Sequence, residues 1–164
     1  MAIEYSEIIF RLCSAVVIGG VIGLDRNLHG KPTGIKTLGL VALGASLTTM
    51  ASTDFAFGRS AQFDISAVSR AIQGVITGIG FLGAGVIIHD RTNDRVRGLT
   101  TAASIWVTAA MGIVCGLGLW QIASVAMVIV LVLFFIGRPL EKSLHRRWMA
   151  KSAEEKEAMS THEE

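Results

Sequence analysis

Charge is missing from the longest continuous part of this sequence: between Arg97 and Arg138, 40 consecutive residues carry no formal charge. As one helix they would extend about 60 Å, twice a ~30 Å hydrocarbon core, so the block must turn back once. Only 17% of the 164 residues are charged while 51% are hydrophobic, and a mean hydropathy of +0.55 excludes an ordinary soluble domain. Cysteine is nearly absent. Cys13 and Cys115 both sit in apolar runs, which excludes a disulfide framework or a CxxC metal or redox centre and leaves two core thiols. Histidine is scattered: His29, His89, His145 and His162 have no ligand spacing, so no metal site follows from them. A net charge of +2 supplies no field for a polyanion, and nucleic acid is not implied. The sequence also lacks GxxxxGK[ST], GxSxG, HExxH and any carboxylate pair on one helix. ATP-driven pumping by this chain alone is thereby excluded, an enzyme of any kind is disfavoured, and no cofactor is called for.

What is present is five apolar spans, at about 8–24, 37–53, 68–88, 99–116 and 120–137, forming a transmembrane domain over 1–137. The expectation is an all-α membrane protein of five transmembrane helices. The leader MAIEYSE is acidic and no small-residue cleavage site follows the first span, so that span reads as retained. Cationic residues mark orientation. Arg26, Lys31 and Lys36 follow span one; Arg91, Arg95 and Arg97 follow span three; Arg138, Lys142, Arg146, Arg147, Lys151 and Lys156 follow span five. These are 12 of the 15 basic residues, and they put the N-terminus outside and the C-terminus in the cytoplasm. The opposite side holds Arg59, with Glu4, Glu7, Asp54 and Asp64, while Arg11 and Arg70 sit near the outer ends of their helices, close enough to snorkel. Residues 138–151 space Leu140, Leu144 and Trp148 four apart among basic residues, as in a short amphipathic interfacial helix; 152–164 are small, polar and acidic, as in a disordered tail.

Small residues four apart mark the faces on which membrane helices meet. Span one offers Ala15, Gly19 and Gly23, and span four offers Ser104, Thr108, Gly112 and Gly116; span three carries Gly74, Gly78, Gly80, Gly83, Ala84 and Gly85. Spans one, three and four are therefore expected to form the core, with the glycine-free span five facing lipid. Gly78 to Gly83 satisfies GxGxxG, but no strand precedes it and the dinucleotide-binding reading fails. Two readings of span three stay open: very close helix packing, or a locally unwound segment whose carbonyls line a cavity.

Polar groups at membrane depth are costly and become functional candidates. Here they are Arg11, Asp25, Arg26, Lys36, Arg70, Gln73 and Arg97. Asp25 and Arg26 end one span and Lys36 and Thr37 open the next, compatible with an ion pair closing the hairpin or with an ion site. One carboxylate cannot cage Mg²⁺ unaided.

The runs GLDR (Gly23 to Arg26), GIKTLGLVALGAS (Gly34 to Ser46), SRAIQGVITGIGFLGAGVI (Ser69 to Ile87) and VRGLTTAASIWVTAAMG (Val96 to Gly112) strongly resemble the MgtC/SapB family of bacterial inner-membrane proteins. The resemblance implies a multi-pass inner-membrane protein of magnesium homeostasis and of adaptation to low magnesium and acid. Its best-known members look like regulators of other membrane machinery, including the F-type ATP synthase. A homo-oligomer in the lipid bilayer is also expected. The alternative function is a small homo-oligomeric transporter or channel for Mg²⁺ or another cation. Family polar positions map onto Asp25, Arg26, Lys36, Thr37, Arg70, Gln73, Arg97, Thr100 and Thr101. Asp25 stands where Glu is common and Lys36 where Arg is common. Longer members carry a soluble C-terminal domain, and this sequence reads as the short form without it.

Overall fold

The computed structural model describes residues 4–58, 65–90 and 95–149; the acidic tail after 151 and the loop residues Arg59, Asp64 and Arg91 lie outside the described residues. Five helices follow one another: α1 (Tyr5–Leu28), α2 (Ile35–Gly58), α3 (Ile65–Val86), α4 (Leu99–Gly116) and α5 (Trp120–Met149). Each contains a stretch long and apolar enough to cross a membrane, namely Tyr5–Leu28, Ile35–Thr53, Ile65–Val86, Leu99–Gly116 and Trp120–Gly137. The uncharged block does turn back, at residues 117–119. One pair of short strands departs from the all-helical expectation: β1 (Ile88–Asp90) runs antiparallel to β2 (Arg95–Arg97), with Ile88 opposite Arg97.

Two helix ends close in the same way. After α1, the Lys31 N–H donates to Arg26 O and the Gly30 N–H to Asn27 O; after α4, Leu119 N–H donates to Val114 O and Gly118 N–H to Cys115 O. In both, the glycine takes the left-handed conformation (Gly30 φ 61°, Gly118 φ 73°), which lets the chain reverse while the last carbonyls stay hydrogen-bonded. Arg11 reinforces the second of these ends. Its Nη1 donates to Gly116 O at 2.8 Å and its Nε to Glu7 Oε1 at 2.8 Å, so this arginine is a cap for α4 and not simply a snorkelling side chain.

The core is organised around α2, not around the three helices with the longest glycine stripes. A Cβ added at Gly19 of α1 would lie 2.4 Å from Leu38 O, and one added at Gly112 of α4 would lie 2.3 Å from Ala42 O. Gly23 and Gly116 meet the α2 backbone in the same manner, at Ile35 and Ser46. Thus α1 and α4 each press a glycine face onto α2, whose Leu38, Ala42, Ala45, Ser46 and Thr49 are buried. Because lipid is as apolar as a leucine side chain, close backbone approach is what holds such helices together. Ser46, Thr49 and Thr108 can be buried here because each finds a partner; Thr49 donates to Ala45 O at 2.8 Å and Thr108 to Ser104 O at 2.7 Å.

The glycine-rich part of α3 forms an unbroken helix through Val86, which corrects the unwound alternative. Ile79 and Gly83 are buried and α3 packs on α4, yet the added Cβ at Gly74, Gly78, Gly80 or Gly85 would meet nothing within 4 Å. A helical backbone satisfies itself, and in lipid that requirement outweighs the weak intrinsic propensity of glycine. The first compact unit extends through Met127; the second, from Val128, continues α5, with Val128, Ile129, Val132, Leu133, Phe135 and Ile136 exposed. Helix α5 passes Pro139 and continues to Met149, so residues 138–149 prolong α5 instead of beginning a new helix.

Gly98, ahead of α4, has φ 93°, and its added Cβ would overlap Val86 O. Gly98→Ala therefore combines left-handed strain with a backbone clash and should cost about 2–5 kcal/mol. Gly30→Ala carries the strain but meets open space, and should cost about 1–2 kcal/mol. Thermal unfolding of the two variants in detergent measures the difference; equal losses would refute the clash.

Candidate functional site

The most enclosed charged group among the described residues is the guanidinium of Arg26, 3% exposed in the last turn of α1. Its Nη1 donates to Ser104 Oγ at 3.1 Å, its Nη2 makes a short hydrogen bond to Thr101 Oγ1, and both acceptors lie in the first two turns of α4. Its Nε donates to Thr33 Oγ1 and its Nη2 also to Pro32 O, each at 3.2 Å. Arg26 thus joins the end of α1, the loop before α2 and the start of α4. The location at a helix C-terminus favours the cation, whereas the first turn of α4 does not, and hydroxyl oxygens turned toward the guanidinium offset that cost. Ser104 can accept because its own proton goes to Thr100 O at 2.8 Å. Thr33 has φ 66°, a conformation that non-glycine residues seldom hold, and the bond from Arg26 fixes it there.

The other polar positions separate. Asp25 turns toward His29, with Oδ1 3.9 Å from Nδ1, and the same Nδ1 lies 2.7 Å from Asp25 O. Lys36 makes no hydrogen bond or ion pair with any described residue, so an Asp25–Lys36 pair does not close the hairpin; the Arg26 bonds to the loop do. Thr100 is exposed beside buried Thr101, and Arg97 is exposed on β2. On α3, Arg70 donates to Ser66 Oγ at 2.7 Å and Gln73 to Ser69 Oγ at 3.4 Å, both exposed.

Lys36 and Thr37 instead join Gly74 and Gly78 along an open-sided groove of about 660 Å³ between α2 and α3. Its walls are otherwise apolar or small, including Leu40, Gly44, Val75 and Leu82. On the other side of α3, helical spacing sets Arg70, Gln73, Thr77 and Phe81 opposite the buried Ile79 and Gly83, and all four are exposed. Among the described residues, no three His, Cys, Asp or Glu side chains gather as metal ligands.

Ser104, Thr33 and Pro32 are the Arg26 partners that motif reasoning did not single out as polar site residues. Ser104 was visible only as a member of a small-residue stripe. Nothing local marks Thr33, because its role depends on the left-handed turn that brings it back to Arg26.

Comparison with known proteins bears on this arrangement. The model of the MgtC family matches residues 12–143. The chain is 49% identical to Protein SrpB of Synechococcus elongatus over 119 residues, covering 69% of this chain and 65% of that protein. It is 39% identical over 142 residues to Protein MgtC of Brucella abortus, covering 87% of this chain and 56% of that one. It is also 39% identical over 147 residues to the "Putative magnesium transporter YhiD" of Escherichia coli, covering 85% and 67%. The matched region therefore spans less than two thirds of the SrpB and MgtC relatives. No solved structure matches. With five apolar helices and a family match that runs from α1 into α5, this multi-pass membrane protein belongs to the MgtC family.

Proposed function

We propose that the protein is a non-catalytic component of magnesium homeostasis in the bacterial inner membrane, serving adaptation to low magnesium and acid by regulating other membrane machinery. The magnesium assignment rests on the family and on the names of its relatives. The positive-inside distribution supports an external N-terminus and a cytoplasmic C-terminus. The observation that carries the regulatory reading is the uncovered face of α3. Gln73 and Thr77 are exposed there, along a helix long and apolar enough to cross the bilayer. Polar side chains facing lipid are expensive, and a helix of another membrane protein, such as a subunit of the F-type ATP synthase, satisfies them by hydrogen bonding across a close contact. The groove argues less well for a magnesium path, since its polar mouth is the cation Lys36.

Gln73→Leu combined with Thr77→Leu should leave membrane abundance unchanged while growth in limiting magnesium falls to that of the deletion strain. Wild-type protein in liposomes holding a magnesium-sensitive dye should admit the ion no faster than empty liposomes. Magnesium entry well above that background would replace the regulator with the transporter.

A further inference from the structure

The groove between α2 and α3 has a polarity gradient that the regulatory reading does not use. Along α2 it runs from Lys36 to Thr48, about 18 Å at ~1.5 Å per residue, close to the ~15 Å depth of one leaflet. At its deep end Thr48 spends its proton on Gly44 O at 2.9 Å, so that end offers methyl and backbone surface and no free hydroxyl proton. At its mouth stand the Lys36 ammonium, without a partner among the described residues, and the exposed Thr37. The walls at Gly44, Gly74 and Gly78 leave open space where a side chain would project, and this keeps the channel wide along its length.

We infer that this groove is a binding site for one anionic phospholipid, with an acyl chain lying along the glycines and the headgroup phosphate on Lys36 and Thr37. The chemistry selects this occupant. A divalent cation would meet an ammonium at the mouth and no lining carboxylate. A zwitterionic lipid would fill the apolar length equally well but bring a compensating ammonium to Lys36. An anionic headgroup alone is complementary to both ends, and a basic residue between transmembrane helices at the interface is the usual recognition element for such lipids.

The test uses the full chain in detergent, titrated with phosphatidylglycerol and with phosphatidylethanolamine of identical acyl chains, and counts retained lipids by native mass spectrometry. Wild type should retain phosphatidylglycerol roughly five-fold better than phosphatidylethanolamine, the effect of one lysine near a headgroup. Lys36→Gln, an exposed first-turn change, should erase that preference. Gly44→Leu should abolish retention of both lipids with helical content and melting temperature preserved, because its side chain grows into the groove. Equal retention of the two lipids by wild type, or an undiminished preference in Lys36→Gln, would overturn the inference. So would efficient disulfide cross-linking between two copies carrying Gly78→Cys in phosphatidylglycerol membranes, since a second chain would then occupy the groove.

Discussion

Arg26→Ala is expected to lower stability by about 2–4 kcal/mol, the largest loss from any single polar side chain among the described residues. At least four hydrogen bonds disappear with the guanidinium, two of them to α4, and the Pro32 carbonyl is left without that donor. Interhelical hydrogen bonds in membranes average about 0.6 kcal/mol, and an abandoned buried polar group costs about 1–3 kcal/mol more. Arg26→Lys should recover only part of the loss, because an ammonium cannot reach acceptors on both α4 and the loop in the geometry of a planar fork. The melting temperature in detergent and the protease sensitivity of the 29–34 loop measure both effects. A loss under ~1 kcal/mol for the alanine variant would mean that the loop and α4 hold together without it.

Gly112→Leu and Gly80→Leu should give opposite results although both add the same side chain to a membrane helix. At Gly112 the first added carbon already lies 2.3 Å from Ala42 O and 2.9 Å from Ala42 Cα, and backbone cannot yield as a flexible side chain can. Helices α2 and α4 must separate, with overpacking of about 3 kcal/mol or more and loss of the protein from the membrane fraction. At Gly80 nothing lies within 4 Å, and replacing glycine inside a helix favours the folded chain by up to about 1 kcal/mol. Gly80→Leu should therefore accumulate normally. If it also fails to support growth in low magnesium, the defect lies in what α3 meets outside its own chain. Destabilisation by Gly80→Leu in detergent as large as that by Gly112→Leu would contradict the open face of α3.

Much of this is legible in the residues, and the exceptions have physical causes. Five spans and their turns follow from uncharged length, because a ~30 Å core imposes a minimum on any crossing. Arg26 stands out as a charge at the end of an apolar span and Thr101 through the family resemblance, and the structure brings them together. The glycines of α1 and α4 announce contact faces correctly, but a stripe does not name its partner. That partner is α2, whose small residues at 42, 45, 46 and 49 are a mixture of alanine, serine and threonine and so form no glycine signal. The α3 glycines carry the same local signature as those of α1 and α4, yet a Cβ added at most of them would meet no described residue within 4 Å. Small residues report that close approach is possible, and only tertiary placement says whether it occurs.

The two arginines of α1 also set an order of events during synthesis. Arg11 is completed by a carbonyl 105 residues further along, and Arg26 by hydroxyls 75 and 78 residues further along. At about 5–20 residues per second, α1 waits on the order of 5–20 s for α4. During that interval Arg11 has Glu7 on its own helix, at 2.8 Å, as a resident counter-charge. Arg26 has the loop it borders, in Pro32 and Thr33. Each arginine thus carries a local partner for the waiting period and a distant one for the finished fold, and the arrival of α4 closes both ends of α1 together.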